Sequence, residues 1–234
     1  MKKWIFCLIG YKVIPMVCFS QASASGVLLM HELDSIQQSN SIARYFASLY
    51  IKTTQNAEDF FQSADKPVKF FIQRLEIRFA DYFFLSAQEY NQKRTISGNW
   101  NTYYSDSTLS ALQYWLLGAN AHINGDIWKA LTSEFSPEEL KEYKHSYFDY
   151  QKGLKKIYLD VYAAAVASSP VVRLLHNFTF GSDHCYGKLM LARWRKRQMN
   201  LAILYFANKD RFSKKLRRLN YKMGHLNNLI LHNL

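Results

Sequence analysis

Leu116-Leu117-Gly118-Ala119-Asn120-Ala121-His122-Ile123-Asn124-Gly125-Asp126-Ile127-Trp128 stands near the middle of the 234-residue chain. Its apolar flanks predict one long helix, interrupted by four polar side chains: Asn120, His122, Asn124 and Asp126. Helical residues four apart share a face, so His122 neighbours Asp126 and Asn120 neighbours Asn124. Gly118, Ala119, Ala121 and Gly125 are small enough to admit another backbone. Each glycine costs about 1 kcal/mol relative to alanine in a helix, and close packing around the polar cluster is the expected compensation. Polar groups buried this way must pair internally, meet a partner on another helix, or hold a ligand.

The same reading extends outward in both directions. Residues 27–55 are predicted as helix from the three- and four-residue spacing of Leu29, Leu33, Ile36, Ile42, Phe46 and Leu49, with a helical turn at 57–63. Asp65-Lys66-Pro67 opens a helix to about Gln92, and residues 95–105 read as a loop. Asp106-Ser107 starts the central helix, which ends near Thr132-Ser133. Ser136-Pro137-Glu138-Glu139 is a capping box with proline at the first helical position, opening a helix to about Ser168. Ser169-Pro170 opens a short one. Residues 177–187 read as a loop with two glycines, Lys188–Phe206 as helix, and Arg211–Leu231 as a last, basic helix. No strand alternation and no internal repeat is visible. The expectation is an all-α, single-domain bundle of about seven or eight helices.

Composition fits a globular chain, with 49% apolar and 16% aromatic residues, which excludes an unstructured polymer. Residues 1–24 read as a signal peptide: Lys2 and Lys3 lead, apolar segments follow, and Ala22-Ser23-Ala24 supplies the small-x-small cleavage pattern. Lys12 and Pro15 interrupt the apolar part, which is too short for a good transmembrane span. The expected mature domain is 25–234, periplasmic or in the cell envelope. Its lone Cys185 excludes an internal disulfide and a thiolate zinc cage. Loss of Lys2, Lys3 and Lys12 takes the net charge from +12 to +9. Lys188 to Lys222 holds 12 basic residues against the single acid Asp210, whereas 25–187 sums to −2. The basic segment 188–234 is a candidate surface for anionic membranes or polyanions; a solvated helix face is the simpler reading.

Three roles are open to His122 and Asp126. Asp126 fixes the imidazole in a satisfied buried network; or both ligate a divalent metal such as zinc; or His122 is a general base oriented by Asp126. Two ligands are too few for a closed zinc site, and Asp81, His184, Asp183 and His31 are the candidates to complete it. Arg74, Arg78, Asp81 and Tyr82 share one face of the preceding helix. Arg78 and Asp81 either satisfy one another at the surface or point inward to His122 and Asp126. Asn120, Asn124, Arg78 and Arg193 are candidates for substrate or anion contact, with Arg193 and Arg197 spaced to clamp an anion. Trp194 reads as core. The chain lacks a glycine-rich phosphate loop, a dinucleotide fingerprint, a Gly-x-Ser-x-Gly elbow and a His-Glu-x-x-His helix. Nucleic acid is not an expected partner, given the expected export and the lack of a recognisable module.

The segment Arg74-Leu75-Glu76-Ile77-Arg78-Phe79-Ala80-Asp81-Tyr82-Phe83, followed by Leu117–Ile127, resembles a helical bacterial domain family of unknown function. The hallmark of that family is an Asn-Ala-His-Ile-Asn-x-Asp helix preceded by an Arg-Phe-Ala helix. Asn120, His122, Asn124, Asp126, Arg78 and Phe79 fall on matching positions, and Ala192-Arg193 matches a later Ala-Arg element. The resemblance spans about residues 27–208 and implies a fold without an activity. The His-x-x-x-Asp pair is also similar to that of helical zinc phosphoesterases of the phospholipase C and single-strand nuclease type. Those enzymes use several more histidines and an N-terminal Trp, where the expected mature chain starts at Ser25.

Two functions follow as expectations. One is a divalent-metal-dependent hydrolase acting on a phosphoester or lipid, with the metal polarising substrate or water. The other is a non-catalytic envelope protein that binds a ligand or an anionic surface, its His/Asp cluster serving helix packing.

Overall fold

The computed structural model describes residues 21–96, 98–168, 170–178 and 183–233. The greater part of the expected signal segment, residues 1–20, lies outside the described residues, as do the side chains of Asp183 and His184. The protein is all-α, with no strand among the described residues. No described helix is long and apolar enough to cross a membrane.

Two helices, α1 (Gln21–Gln38) and α2 (Ala43–Ser63), stand where one was expected over 27–55. The break falls at Ser39-Asn40-Ser41-Ile42, where side-chain hydroxyls compete for backbone groups: Ser39 Oγ donates to Ile36 O (2.7 Å) and accepts from Ser41 N (3.2 Å). Helix α3 (Lys66–Asn91) runs as predicted, with Pro67 in its first turn. It ends on Lys93, whose φ of 52° is left-handed. Arg94 N bonds Glu89 O (2.9 Å) and Lys93 N bonds Tyr90 O (3.0 Å), a Schellman closure built without glycine.

The segment predicted as a loop at 95–105 instead contains a 3₁₀ turn, Gly98–Trp100, and a short helix α4, Asn101–Tyr104. The central helix starts later than predicted. Asp106 Oδ1 is occupied by Thr108, both N (2.8 Å) and Oγ1 (2.6 Å). The capping box belongs to Ser110 and Gln113, which open α5 (Ala111–Ala119). Helix α5 continues without a gap into a π-helix, Asn120–Asp126, and then into α6 (Ile127–Glu134).

The predicted Ser136–Glu139 capping box is present and opens α7 (Pro137–Glu142), but Tyr143 separates it from α8 (Lys144–Ser168). Then come α9 (Pro170–Phe178), α10 (Asp183–Ala207) and α11 (Lys209–Asn233). These breaks divide into separate helices what periodicity joined, within the all-α single-domain bundle that was expected.

The π-helix lies at the centre, in contact with α3, α10, α11 and the Gly98–Trp100 turn. Around it packs one aromatic core that includes Phe46, Tyr50, Phe79, Phe83, Trp100 and Tyr103. Burying each such ring contributes about 1.5–3 kcal/mol. A second, small cluster of Leu201, Leu219 and Met223 joins α10 to α11. Arg74 ties α3 to the end of α6 and the start of α7 through Glu134 Oε1 and Glu139 Oε1, both at 2.8 Å.

Candidate functional site

Seven residues in the π form place two sets of polar side chains on opposite sides of one buried helix. Two glycines permit this. A Cβ on Gly118 would stand 2.3 Å from Phe46, and one on Gly125 would stand 1.9 Å from the Asn99 amide nitrogen. No L side chain fits at such separations. Gly125 in the π segment thus lets the Gly98–Trp100 turn press against the backbone, and Gly118 in α5 does the same for α2. π segments inside α-helices occur often at functional sites.

On the side facing α2, α3 and that turn stand His122 and Asp126, both almost fully buried. His122 Nδ1 lies 3.3 Å from Asp126 Oδ2. Asp126 also accepts from Trp100 Nε1 (2.8 Å, to Oδ2), from Lys129 Nζ (3.1 Å, to Oδ1) and from Asn99 Nδ2 (3.4 Å, to Oδ1). Desolvation holds the His122 pKa below its usual 6.5, although Asp126 opposes the shift. A neutral imidazole facing a carboxylate donates through Nδ1–H, which leaves Nε2 with a bare lone pair. Nε2 is buried and has no hydrogen-bond partner. The ring is enclosed by Phe79, Phe46, Tyr50 and Trp100.

Facing α11, Asn120 Nδ2 donates to Met223 O (3.1 Å) and Asn227 Oδ1 (2.7 Å), and Asn124 Nδ2 donates to Asn120 Oδ1 (2.9 Å). These asparagines clasp the last helix. Asn124 Oδ1 is left buried without a partner.

Beside the imidazole lies a cavity of about 30 Å³ lined in part by Tyr50, Phe79, Glu76, Tyr150, Gln151 and Arg195. Two of these, Tyr50 and Phe79, also pack against the His122 ring. Desolvation raises the Glu76 pKa above 4.5, against the Tyr150 hydrogen bond and the Arg195 charge, which lower it. The Tyr50 hydroxyl and Gln151 Oε1 are buried without partners. A half-buried carboxyl, a guanidinium and two orphaned polar atoms around one small space form a built polar chamber. Native interiors rarely leave such groups unpaired without a reason.

A model of DUF5995, a family of unknown function, matches residues 28–233. The chain belongs to this family. No curated protein and no solved structure matches it.

In this DUF5995 protein the predicted residues separate into groups. His122 and Asp126 come together as the spacing required. Arg78 and Asp81 do not join them: they pair with each other at 3.2 Å on the surface, and Arg78 also donates to Ser133 Oγ (3.1 Å). Successive helical residues are about 100° apart, so α3 directs Phe79 at His122 and turns its neighbours outward. Arg193 lines a groove between α10 and α11, remote from the imidazole's aromatic enclosure. His31 lies on the exposed side of α1, and Cys185 is exposed as well. Trp194, expected in the core, is only half-buried.

As arranged, His122 and Asp126 do not share a metal ion: both Asp126 oxygens already accept hydrogen bonds, one from an ammonium, and one of them faces His122 Nδ1. Among the described residues, no group of three His, Cys, Asp or Glu side chains gathers that could hold an ion. Sequence reasoning missed Glu76, Tyr50, Tyr150 and Arg195, which lie on four different helix turns. It also missed Asn99 and Trp100 in the segment read as a loop. The one available signal was Glu76, an acid set between Leu75 and Ile77 in an apolar stretch.

Proposed function

We propose that the protein is a binding protein for an anionic amphiphile, held in the groove between α8 and α10. The groove encloses about 350 Å³, has Phe148, Tyr158 and Leu191 among its apolar walls, and is rimmed by Lys188, Arg195 and Lys196. Lys152 also lines it, paired with Asp149 at 2.6 Å. That volume lies within the range of small-molecule sites. The carrying observation is that Arg195 and Gln151 line both this groove and the inner chamber with Glu76. An apolar chain on the groove wall would therefore bring an acidic head group to Arg195, with the chamber's polar groups behind it. The His122–Asp126 network stiffens the far wall of that chamber. Export, as expected from the leading residues, would set the protein among lipids.

The test is isothermal titration with dodecanoate and dodecyl phosphate, using dodecyltrimethylammonium as the control of equal chain length. Saturable binding of the anions alone supports the reading, with loss of about tenfold in affinity on K188E or R195Q. Equal binding of the cation, or unchanged affinity in both variants, would sink it.

The hydrolytic reading retains one support, the bare Nε2 of His122, which has the lone pair a general base needs. In that reading Asp126 orients the ring and Glu76, whose pKa desolvation raises, supplies an acid. Turnover of p-nitrophenyl esters and phosphodiesters, with and without chelator, decides it. Turnover lost in H122Q but retained in chelator would favour it over a metal-dependent route; no turnover under any condition removes it.

A further inference from the structure

The basicity of the last two helices is gathered into one groove. Between α10 and α11 a cavity of about 330 Å³ is lined by Arg193, Lys196, Arg197, Lys215, Arg218 and Lys222. Asn200, Leu201 and Leu219 complete its walls, and no acidic residue lines it. None of the six cations makes an ion pair with a described residue. On α10, Lys196 and Arg197 stand three and four residues after Arg193; on α11, Lys215, Arg218 and Lys222 follow one another at three and four residues. The two helices form a hairpin through Asn208, so both present cations to the same space.

Like charges brought together this way repel and weaken the hairpin. What holds it is apolar: Leu201, Leu219 and Met223 pack together, with Trp128, Phe212 and Leu216 against them. Asn120 adds its bonds to Met223 O and Asn227 from the central helix. The hairpin is therefore pinned at its base with the cations left facing each other. Arg197 is half-buried, and desolvation lowers its pKa with nothing acidic nearby to compensate. Arg193, Lys196, Lys215, Arg218 and Lys222 stand exposed around the groove, and the half-buried Arg197 guanidinium among them is what a simple solvated helix face would not show.

We infer that this groove is a binding site for a compact anion carrying two or more adjacent phosphates. Three arginines offer paired donors matched to phosphate oxygens, and three lysines add point charges. A concave site at the low end of ligand-pocket volumes takes a compact oligophosphate rather than an extended duplex or a flat bilayer. The oligophosphate is either free or the exposed head of a lipid. The site shares only Lys196 with the rim of the α8–α10 groove and does not rest on the function proposed for it.

The test is isothermal titration of the full chain with inorganic tripolyphosphate, pyrophosphate and orthophosphate, at two salt concentrations. The expected order is tripolyphosphate, then pyrophosphate, then orthophosphate, with affinity falling as salt rises. R197E/R218E should weaken tripolyphosphate by about tenfold or more, whereas R211E/R217E, the same charge change off the groove, should alter it by less than about twofold. Circular dichroism melting checks that both variants fold; if R197E/R218E does not fold, R197Q and R218Q are used singly. Competition by tripolyphosphate against vesicles containing a diphosphorylated lipid, and against single-stranded RNA, separates the sources. Displacement from vesicles assigns the lipid head group, and tripolyphosphate binding without vesicle binding assigns a free ligand. Equal weakening by both charge pairs, no saturable oligophosphate binding, or RNA binding that tripolyphosphate cannot displace overturns the proposal.

Discussion

Phe79 lies flat on the His122 imidazole, with 3.4 Å between ring centroids and 10° between planes. The contact joins α3 to the π-helix, and Phe79 also walls the chamber that holds Glu76. Phe79→Ala should cost about 3–5 kcal/mol, since it removes a buried ring and leaves a cavity. Water entering that space should also raise the His122 pKa toward 6.5. Urea denaturation and NMR titration of the imidazole measure the two effects. A loss under 1 kcal/mol, on the order of a surface change, would show that the stack is not structural.

The depressed His122 pKa sets a direction for stability against pH. Above 6.5 the imidazole is neutral in both folded and unfolded chains, and the fold has its full stability. As pH falls below 6.5 the unfolded chain takes up a proton that the folded chain resists, so stability declines until the lower folded pKa is passed. Melting temperature should therefore fall between pH 7 and pH 5 by more in the native protein than in H122Q, which has no such proton to bind.

Glu76 has the opposite sign. Its folded pKa is raised above 4.5 by desolvation, so the folded chain holds its proton more tightly than the unfolded one. The ionisation penalty is absent below 4.5 and appears as pH rises through the folded value. E76Q keeps the size and can keep a hydrogen bond with Tyr150. It should match the native protein near pH 4 and exceed its melting temperature near pH 8.

Asn99 and Gly125 make a reciprocal pair. Gly125→Ala should destabilise by about 1–3 kcal/mol, as overpacking does. The added methyl strikes Asn99, so Asn99→Ala in the same chain should recover part of the loss. A double-mutant cycle in urea measures the coupling, and strict additivity would contradict the contact.

Lys93 closes α3 from the left-handed region, at a cost of about 1 kcal/mol for an L side chain. Lys93→Gly should return roughly that amount. A lowered urea midpoint would mean that the lysine side chain makes a compensating contact.

Helices announced by local chemistry were legible in the sequence. Pro67, Pro137 and Pro170 stand at the starts they predict, and Ser136 with Glu139 forms its reciprocal cap. His122 and Asp126 met because a four-residue spacing needs no tertiary information. The rest of the site depends on contacts between distant segments. Nothing near Trp100 shows that its indole N–H will reach a carboxylate 26 residues away. Arg78, Phe79 and Asp81 all belong to one helix, and only the placement of α3 decides which of them faces inward. The change from α to π between Ala119 and Ile127 was hidden for a related reason: apolar spacing continues through it.

A π-helix of this kind stores one residue more than ordinary winding needs. Seven residues in the wider turn, Asn120–Asp126, cover nearly the same rotation as six α-helical ones, about 600°. Removing one residue from 120–126 would therefore restore ordinary α winding from Ala111 to Glu134 and leave Trp128 close to its phase against Phe212. What it would lose is the spacing of the polar side chains inside the segment, His122 to Asp126 or Asn120 to Asn124. The irregular winding is slack taken up within one helix: it resets which side chains meet at the centre without re-aiming the helix that follows.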